Sequence, residues 1–407
     1  MTIKKVTKNI YMMTKTIDKM LFEGMWDLKG GVTLNSYVIK AGKTAMIDGF
    51  IGWGGMPESL YNGLADINVK PEDIDYLVIN HMEPDHSGWL ESFKKVNDHF
   101  TVLATKKASD LIEAFYGDDI NIQVVGEGDT VDLGNGKNLS FHPVPNIHWP
   151  ETMLTFETST KTLFSCDMYG AFGAMDEHVF DDELTKKEQT FFENEGIRYF
   201  SNVMTTFSKM VEKAIKKTKE LEPAIIAPGH GPAYRDHPET IIDAYTRYCN
   251  YANGYGKNEV TILWGSMYGM TEQAVRHVQT MLKKENIKVN VIKMPTETDS
   301  EMIANVFRSA GIIIATPTYE YRMFPPVAHA IDEIGRKRIT GKHAFRFGSY
   351  GWSGGAEKEL KKITEDYRMN WTFIDSVEFK GSPKENDLKK VEDGVQKLIE
   401  NMEEKIL

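Results

Sequence analysis

The sequence predicts an α+β arrangement of packed sheets with helices outside, followed by a doubly wound parallel α/β sheet. Apolar strand-like segments come in runs over the first 250 residues, whereas strand and helix patterns alternate after residue 258. Between them the Asn- and Gly-rich segment 250–258, "NYANGYGKN", interrupts both patterns. We therefore expect a first domain at 1–250, a linker at 251–258 and a second domain at 259–407.

The strands of the first domain are read from apolar segments. "VTLNSYVI" and "TAMIDGF", joined by "AGK", predict a hairpin. A longer helical region is expected from about Glu188 to Leu221, and "PAIIAPGHG" predicts a strand and a turn after it. Between hairpin and helix we expect six more strands, at "YLVIN", "FTVLAT", "IQVV", "LSFHPV", "MLTFET" and "TLFSCD".

The second domain repeats one pattern, a strand followed by a helix. The first of its helices places Ala274, Val275, Val278, Met281 and Leu282 on one apolar face. Five such units in about 150 residues predict one doubly wound sheet of five parallel strands. The strands are "VTILW", "VNVIK", "GIIIAT", "AFRFG" and "WTFID".

Composition limits the class of protein. The chain has 407 residues, 41% hydrophobic and 26% charged, as in ordinary globular domains. No apolar run approaches the roughly 18–20 residues of a membrane span, and the N-terminus lacks the apolar stretch of a signal peptide. A net charge of −11 argues against a nucleic-acid partner. The two cysteines, Cys166 and Cys249, favour a reducing cytoplasm and form no Cys-x-x-Cys metal module.

The stretch "NHMEPDHSG" crowds four ionisable side chains behind a buried strand. His81 and Glu83 share one face of an extended backbone and can reach one metal ion together. Pro84 bends the chain, so Asp85 and His86 can serve a second ion. The alternative is a polar turn, in which Asp85 caps a helix beginning near Ser87 and the histidines face solvent.

Three further ionisable residues follow apolar strands in the same domain. His148 lies in "NIHWPETM", Asp167 in "LFSCDMYG" and His230 in "IIAPGHGP". With the crowded loop they make four histidines and three carboxylates, which predicts a two-metal site in which Asp167 is the natural bridge. Two metals about 3.5–4 Å apart suit a two-atom substrate.

This spacing resembles the metallo-β-lactamase fold, with one departure. Zinc hydrolases of that fold typically carry His where this chain has Glu83. More carboxylate favours a harder, redox-active metal such as iron. Two ferrous ions and three carboxylates also bring the site close to neutrality.

The second domain opens with a loop at a helix N-terminus, "GSMYGMT". Its backbone N–H groups, with the hydroxyls of Ser266 and Thr271, predict a phosphate site. It lacks the Lys of a P-loop and the G-x-G-x-x-G of a dinucleotide fold, so a mononucleotide is favoured.

Two later loops bring aromatic rings to the same edge of the sheet. "TPTYEYR" supplies Tyr319 and Tyr321, and "GSYGWSGGA" supplies Tyr350 and Trp352. Such a crevice beyond the strand ends suits a flat isoalloxazine ring. The alternative is that these rings pack against the rim and the loops are tight turns.

The second half resembles flavodoxin, and the two halves together resemble the flavodiiron proteins, or A-type flavoproteins. The resemblance implies FMN and a non-haem di-iron centre that reduces dioxygen to water or nitric oxide to nitrous oxide. It implies detoxification of these gases in an anaerobe or microaerophile. The sequence leaves the choice between the two gases open.

Site residues are carried over from the resemblance residue by residue. One iron takes His81, Glu83 and His148, the other takes Asp85, His86 and His230, and Asp167 bridges. The family varies in whether the position of His86 reaches the metal. The implied FMN loops comprise Ser266, Met267, Tyr268, Gly269, Met270, Thr271, Pro317, Thr318, Tyr319, Glu320, Tyr321, Ser349, Tyr350, Gly351, Trp352, Ser353 and Gly354.

The resemblance also implies partners. It implies a head-to-tail homodimer, or a dimer of dimers, in which the FMN of one subunit faces the di-iron site of the other. Electrons are expected from a separate donor, such as a rubredoxin or a flavin reductase. Two alternatives remain: a zinc-dependent hydrolase fused to a flavodoxin, and an electron carrier whose front half is only a scaffold.

Overall fold

A computed structural model describes residues 1–19, 21–50 and 58–407. Within them the chain forms two compact units. The first comprises Met1–Phe200 and Lys209–Thr246, and the second comprises Ser201–Ser208 and Arg247–Leu407. No helix in these ranges is both long enough and apolar enough to cross a membrane.

The first unit holds fourteen strands among its described residues. They are β1 (Thr2–Lys5), β2 (Ile10–Ile17), β3 (Leu21–Phe22), β4 (Trp26–Asp27), β5 (Val32–Lys40), β6 (Thr44–Ile47), β7 (Ile74–Val78), β8 (Thr101–Ala104), β9 (Ile122–Val124), β10 (Thr130–Gly134), β11 (Lys137–Pro143), β12 (Met153–Glu157), β13 (Thr162–Cys166) and β14 (Ile225–Pro228). The helices in chain order are α1 (Glu58–Asp66), α2 (Pro84–Ser87), α3 (Leu90–Phe93), α4 (Lys106–Tyr116), α5 (Lys186–Tyr199), α6 (Ser208–Leu221) and α7 (Pro238–Ala252).

Two sheets pack face to face in this unit. One has the order β1-β2-β5-β6-β7-β8-β9 and the other β10-β11-β12-β13-β14. Alternation along β5 sends Tyr37 and Ile39 into the core between the sheets, with Phe141 and Phe164 from the second sheet. Leu34 and Val38 point the other way, into a core shared with α1, α3 and α4. The predicted hairpin is confirmed, because β5 and β6 pair antiparallel.

The second unit alternates strands and helices. Its main strands are β15 (Lys257–Trp264), β16 (Lys288–Lys293), β17 (Ser309–Ala315), β20 (His343–Tyr350) and β21 (Thr372–Lys380), and a small hairpin joins β18 (Thr318–Tyr319) to β19 (Arg322–Met323). The helices are α8 (Met270–Lys284), α9 (Asp299–Arg308), α10 (Pro325–Arg336), α11 (Ala356–Asp366) and α12 (Glu385–Met402).

The main sheet has the order β16-β15-β17-β20-β21, and every neighbouring pair is parallel. This is the strand order of flavodoxin, so the predicted doubly wound sheet is confirmed. Parallel pairing also places the carboxyl ends of β15, β17 and β20 side by side at one edge.

Regular structure occupies both ends of the predicted linker 251–258. Helix α7 runs to Ala252, and β15 begins at Lys257. The predicted helical region is also interrupted: a short π-helical turn at Phe200–Met204 and a 3₁₀ turn at Thr205–Phe207 separate α5 from α6. The domain bounds 1–250 and 259–407 remain predictions.

Candidate metal centre and flavin site

The loop after β7 is fixed near its start by buried hydrogen bonds of Asn80. The Asn80 backbone N–H donates to Asp48 Oδ1 over 2.8 Å, and its side-chain amide donates to Asp48 Oδ2 over 3.1 Å. Helix α2 then begins at Pro84, with Glu83 rather than Asp85 as its N-cap. His81 and His86 are 0% exposed, so the alternative of a polar turn with solvent-facing histidines is wrong.

Four side chains from three segments converge into a first group, composed of His81, Glu83, His148 and Asp167. Glu83 Oε2 lies 2.9 Å from His148 Nε2 and 3.4 Å from His81 Nε2. All candidate ligand atoms of the group lie within 4.8 Å of one another. Nitrogen and carboxylate oxygen at this spacing can surround one metal ion.

A second group is formed by Asp85, His86 and His230. Asp85 Oδ2 lies 3.5 Å from the Nε2 atoms of both histidines, which are themselves 3.1 Å apart. Both oxygens of Asp85 are buried and have no hydrogen-bond partner among the described residues. A buried carboxylate without donors is costly unless a cation meets it, so the donor set fits a metal ion.

Asp167 stands between the two groups and gives one oxygen to each. Its Oδ2 lies 3.3 Å from His81 Nε2 and 3.2 Å from His148 Nε2. Its Oδ1 lies 2.9 Å from His86 Nε2 and 3.3 Å from His230 Nε2. One carboxylate is therefore shared between two sets of ligands.

The buried carboxylates make the cluster attractive to cations. Burial alone would lower the pKa of His81, but Asp167, Glu151 and Glu83 raise that pKa to about 9. Against the same burial effect, Asp85 and Asp167 raise the pKa of His86 to about 10. Burial raises the pKa of Glu83, yet hydrogen bonds from His148 and His81 lower it to about 2. Positive charge is thus stabilised throughout the cluster.

The outer nitrogens of the histidines fix which ring atom faces the cluster. His230 Nδ1 lies 2.8 Å from the carbonyl oxygen of Thr33, which can only accept, so this nitrogen carries the proton. His81 Nδ1 lies 2.8 Å from Glu151 Oε1. In both rings Nε2 is the nitrogen that faces the cluster, and a metal ion bound there would take the place of its proton. His86 Nδ1 has no hydrogen-bond partner in the described part of the chain.

Four residues at this site were missed by the sequence reasoning. Glu151 lies in the quoted segment "NIHWPETM", where a carboxylate close behind a candidate ligand was a usable signal. Thr33 and Asn35 belong to β5 and approach only through the fold. Tyr199 packs its ring against His230, with centroids 5.7 Å apart, and no local sequence signal marks it.

A cavity of about 340 Å³ opens onto the candidate metal ligands of this unit. Phe22, Pro84 and Trp149 give it a largely apolar wall, and Glu83 and Asp85 line it where it meets the two groups. A small uncharged molecule can enter such a space without losing strong hydration.

The predicted flavin loops lie together at one edge of the second unit. Ser266–Gly269 follow β15 and lead into α8, Pro317–Tyr321 follow β17, and Ser349–Gly354 end β20 and continue beyond it. Tyr268 is 83% exposed and Trp352 78% exposed, so these rings are not packed against the rim. The edge presents open aromatic faces beside a helix N-terminus.

Buried contacts tie the three loops together. Thr271 Oγ1 accepts a hydrogen bond from the Ser349 backbone N–H over 3.2 Å and lies 2.9 Å from Ser349 Oγ. This joins the first loop to the third. The buried Arg346 guanidinium donates to Glu378 Oε1 over 2.7 Å and to the Thr316 carbonyl over 3.3 Å, beneath the second loop.

Glycine is required where the second and third loops approach. Gly355 has φ +147°, and a Cβ there would collide with the carbonyl oxygen of Tyr321. The close approach of two backbones is what only glycine allows.

Comparison with known proteins places the chain in a family. Residues 32–231 match the model of the ODP family beta lactamase. An anaerobic nitric oxide reductase flavorubredoxin from Escherichia coli K12 is 32% identical over 364 residues, which are 88% of this chain and 74% of that protein. A mutant flavo di-iron protein from Thermotoga maritima superposes with a TM-score of 0.89 at 26% identity, over 98% of each chain. The chain belongs to the flavodiiron proteins.

Further relatives agree with this assignment. The Salmonella typhi flavorubredoxin is 33% identical over 341 residues, 83% of this chain and 69% of that protein. The fold of this flavodiiron protein also matches the rubredoxin oxygen:oxidoreductase of Desulfovibrio gigas, with a TM-score of 0.90 at 24% identity over 99% of each chain. The predicted pair of folds is confirmed, this flavodiiron protein is an oxidoreductase, and the alternative of a zinc hydrolase is not favoured.

Proposed function

We propose that the chain reduces dioxygen to water, nitric oxide to nitrous oxide, or both, at two irons, with electrons relayed through FMN. The observation that carries this proposal is that the two carboxylate oxygens of Asp167 face different histidines. Oδ2 faces His81 and His148, and Oδ1 faces His86 and His230. A carboxylate shared in this way can serve two adjacent metals. In the cell the reaction removes these gases from the cytoplasm.

The proposed ligands follow the two groups. His81, Glu83 and His148 would hold one iron, Asp85, His86 and His230 would hold the other, and Asp167 would offer one oxygen to each. The three carboxylates suit iron better than zinc, and Glu83 is the residue that shifts the balance. The two irons, when bound, supply electrons and open coordination positions for a two-atom gas.

The chain's own residues prepare the space around the metals. Phe22 and Trp149 keep the approach apolar, which admits neutral gases. The Tyr199 hydroxyl is buried, with no hydrogen-bond partner in the described ranges. Burial and the nearby Asp167 hold its pKa well above the usual value. Tyr199 therefore keeps its proton beside His230, against which its ring packs.

FMN is proposed for the edge formed by the three loops. The N-terminus of α8 would hold the phosphate, and Gly269, its N-cap, has a positive φ that turns the backbone into the helix. The Ser266 hydroxyl accepts a hydrogen bond from the Gly269 N–H over 3.0 Å and keeps its own hydrogen for the phosphate. The exposed rings of Tyr268, Tyr319, Tyr321 and Trp352 would flank the isoalloxazine.

The number of electrons that each gas consumes supports a reaction that uses both the di-iron site and FMN. Reduction of one dioxygen to two water molecules consumes four electrons, which two ferrous ions and one fully reduced FMN together provide. Reduction of two nitric oxide molecules to nitrous oxide consumes two. We propose that a second copy of the chain, arranged head-to-tail in a dimer or a dimer of dimers, supplies the FMN to each metal centre. A rubredoxin or a flavin reductase would deliver the electrons.

Parallel turnover with the two gases tests the proposal. The purified protein, with one artificial donor, should consume dioxygen, nitric oxide or both, and the ratio of rates would assign the substrate. His81→Ala should abolish consumption of either gas, whereas His99→Ala, at an exposed histidine, should leave it unchanged. Undiminished gas consumption by His81→Ala would show that the front half is a scaffold.

A further inference from the structure

Glu151 supports the cluster from behind His81. One oxygen of this carboxylate, Oε1, lies 2.8 Å from His81 Nδ1 and 2.9 Å from the backbone nitrogen of Met82. The side chain is 0% exposed, and the Glu151 backbone carbonyl accepts a hydrogen bond from the Thr105 hydroxyl over 2.9 Å. Oε1 therefore contacts both the ring of one residue and the backbone of the next, while Oε2 is buried without a hydrogen-bond partner in the described residues.

The two candidate ligand groups differ in the hydrogen-bond partners of their histidine Nδ1 atoms. In the first group the partner of His81 Nδ1 is the Glu151 carboxylate. In the second group His230 is supported by the neutral carbonyl of Thr33, and His86 Nδ1 has no hydrogen-bond partner in the described residues. The buried carboxylate of Asp48 is close enough to raise the pKa of His86, but its two oxygens accept hydrogen bonds from Asn80 and not from an imidazole.

We propose that Glu151 is a positioning residue that makes the two metal positions electronically unequal. This inference rests on the proposed di-iron function. An anionic acceptor on Nδ1 fixes the tautomer, sets the ring orientation and makes Nε2 a stronger donor. The iron bound by His81 is then the better stabilised of the two in its oxidised state, so its reduction potential is the lower.

Glu127 provides a matched control elsewhere in the same unit. Its Oε1 lies 2.9 Å from His142 Nδ1, the same type of pair at nearly the same distance. The other nitrogen of His142 lies 3.0 Å from Ser140 Oγ and not at the metal ligands. Glu127 is more exposed than Glu151 and also bonds Lys217, but its contact with the histidine has the same form. Glu127→Gln therefore changes a carboxylate–histidine pair without touching the cluster.

The test is a redox titration of the iron pair, followed by electron paramagnetic resonance in the holoenzyme. Glu151→Gln keeps acceptors for His81 and Met82 but removes the charge. We expect the one-electron equilibrium constant of the iron with the lower reduction potential to change about tenfold. Its potential then rises by about 59 mV, and the two potentials move closer together. Glu127→Gln should leave both potentials unchanged.

Glu151→Asp distinguishes the effect of the carboxylate charge from the effect of side-chain length. It keeps the charge with a shorter reach, so wild-type potentials in Glu151→Asp beside shifted potentials in Glu151→Gln would support the inference. Equal shifts in both variants would contradict it and reduce Glu151 to a packing role. Unchanged potentials in a fully loaded Glu151→Gln protein would overturn it outright.

Iron affinity, measured by competition with a chelator, is a second readout. Glu151→Ala loses both the charge and the acceptor, and we expect iron to bind about 10–100-fold more weakly. Unchanged affinity would argue against positioning. Wild-type protein is measured first: if it lacks two irons per chain the proposed function itself fails, whereas a loaded wild type with insensitive variants refutes only the role of Glu151.

Discussion

Asn35 holds the turn that carries His230: its side-chain amide donates to the carbonyl oxygen of Gly231 over 2.8 Å and of Pro228 over 3.0 Å. Asn35 Oδ1 accepts from the Thr14 hydroxyl over 3.0 Å, so the whole side chain is satisfied. The turn is thereby fixed against β5, and His230 is aimed at the cluster from it.

Asn35→Ala should weaken both the fold and metal retention. It leaves the Gly231 carbonyl oxygen and the Thr14 hydroxyl in the core without this partner, while the Pro228 carbonyl keeps the hydrogen bond from the Tyr37 hydroxyl over 2.7 Å. We expect the free energy of unfolding to fall by about 2–4 kcal/mol. Calorimetry and iron analysis would measure the two effects. Asn121→Ala, which removes an exposed hydrogen bond to Thr101, is the control and should change neither. Full iron content in Asn35→Ala would show that the turn holds His230 without this clamp.

Asp167→Asn should break the pair of metal positions. An amide offers one acceptor oxygen and an NH₂ group that cannot bind a metal, so only one group would keep its ligand atom. We expect iron to fall from about two to about one or fewer per chain, as a bridge between adjacent metals requires. Metal analysis after gel filtration would measure this. Asp176→Asn, at an exposed aspartate of the same unit, should retain the full complement.

Thr271→Ala should loosen the flavin loops. The substitution removes the acceptor of the Ser349 N–H and the hydroxyl contact that joins the first loop to the third. Loss of about 1–1.5 kcal/mol corresponds to about tenfold weaker FMN binding. Fluorescence titration of the flavin-free protein would measure it. Thr280→Ala, on an exposed part of α8, is the control. Equal FMN affinity in both variants would contradict the phosphate loop.

Glu188 should contribute stability that depends on pH. Hydrogen bonds from the Thr185 hydroxyl and backbone, and from His178, lower the pKa of Glu188 to about 2. Because the folded pKa lies below the unfolded value of about 4.5, the contribution is complete above pH 4.5 and is lost as the pH falls towards 2.

Thermal unfolding of metal-free wild type and Glu188→Gln measures this contribution. The wild type should unfold at a higher temperature at pH 6, and the difference should shrink at pH 3. A difference that stays constant between the two pH values would show that the carboxylate charge plays no part in capping α5.

Periodicity and turn residues predicted the order of strands and helices well. Continuous apolar segments such as "GIIIAT" belong to strands buried on both faces, and each of the five strand–helix units formed at its expected place. The ends of helices were less predictable. The π-helical turn at Phe200–Met204 follows no break in the local pattern, and α2 begins at Pro84 because proline is favoured in a first turn.

The candidate ligands could be predicted because each follows an apolar strand, where a polar side chain has no packing reason to be. The residues that hydrogen-bond to these ligands and to their turn could not be predicted. Thr33 and Asn35 read as ordinary residues of a strand, and only the pairing of distant segments brings them behind His230. Long-range contacts of this kind leave no local signal in one sequence.

Metal analysis of carefully prepared protein tests the central claim most directly. We expect about two irons and little zinc per chain in protein that consumes dioxygen or nitric oxide when its FMN is reduced. Fewer than one iron per chain, with zinc in its place and hydrolysis of thioesters or phosphodiesters without a reductant, would contradict it.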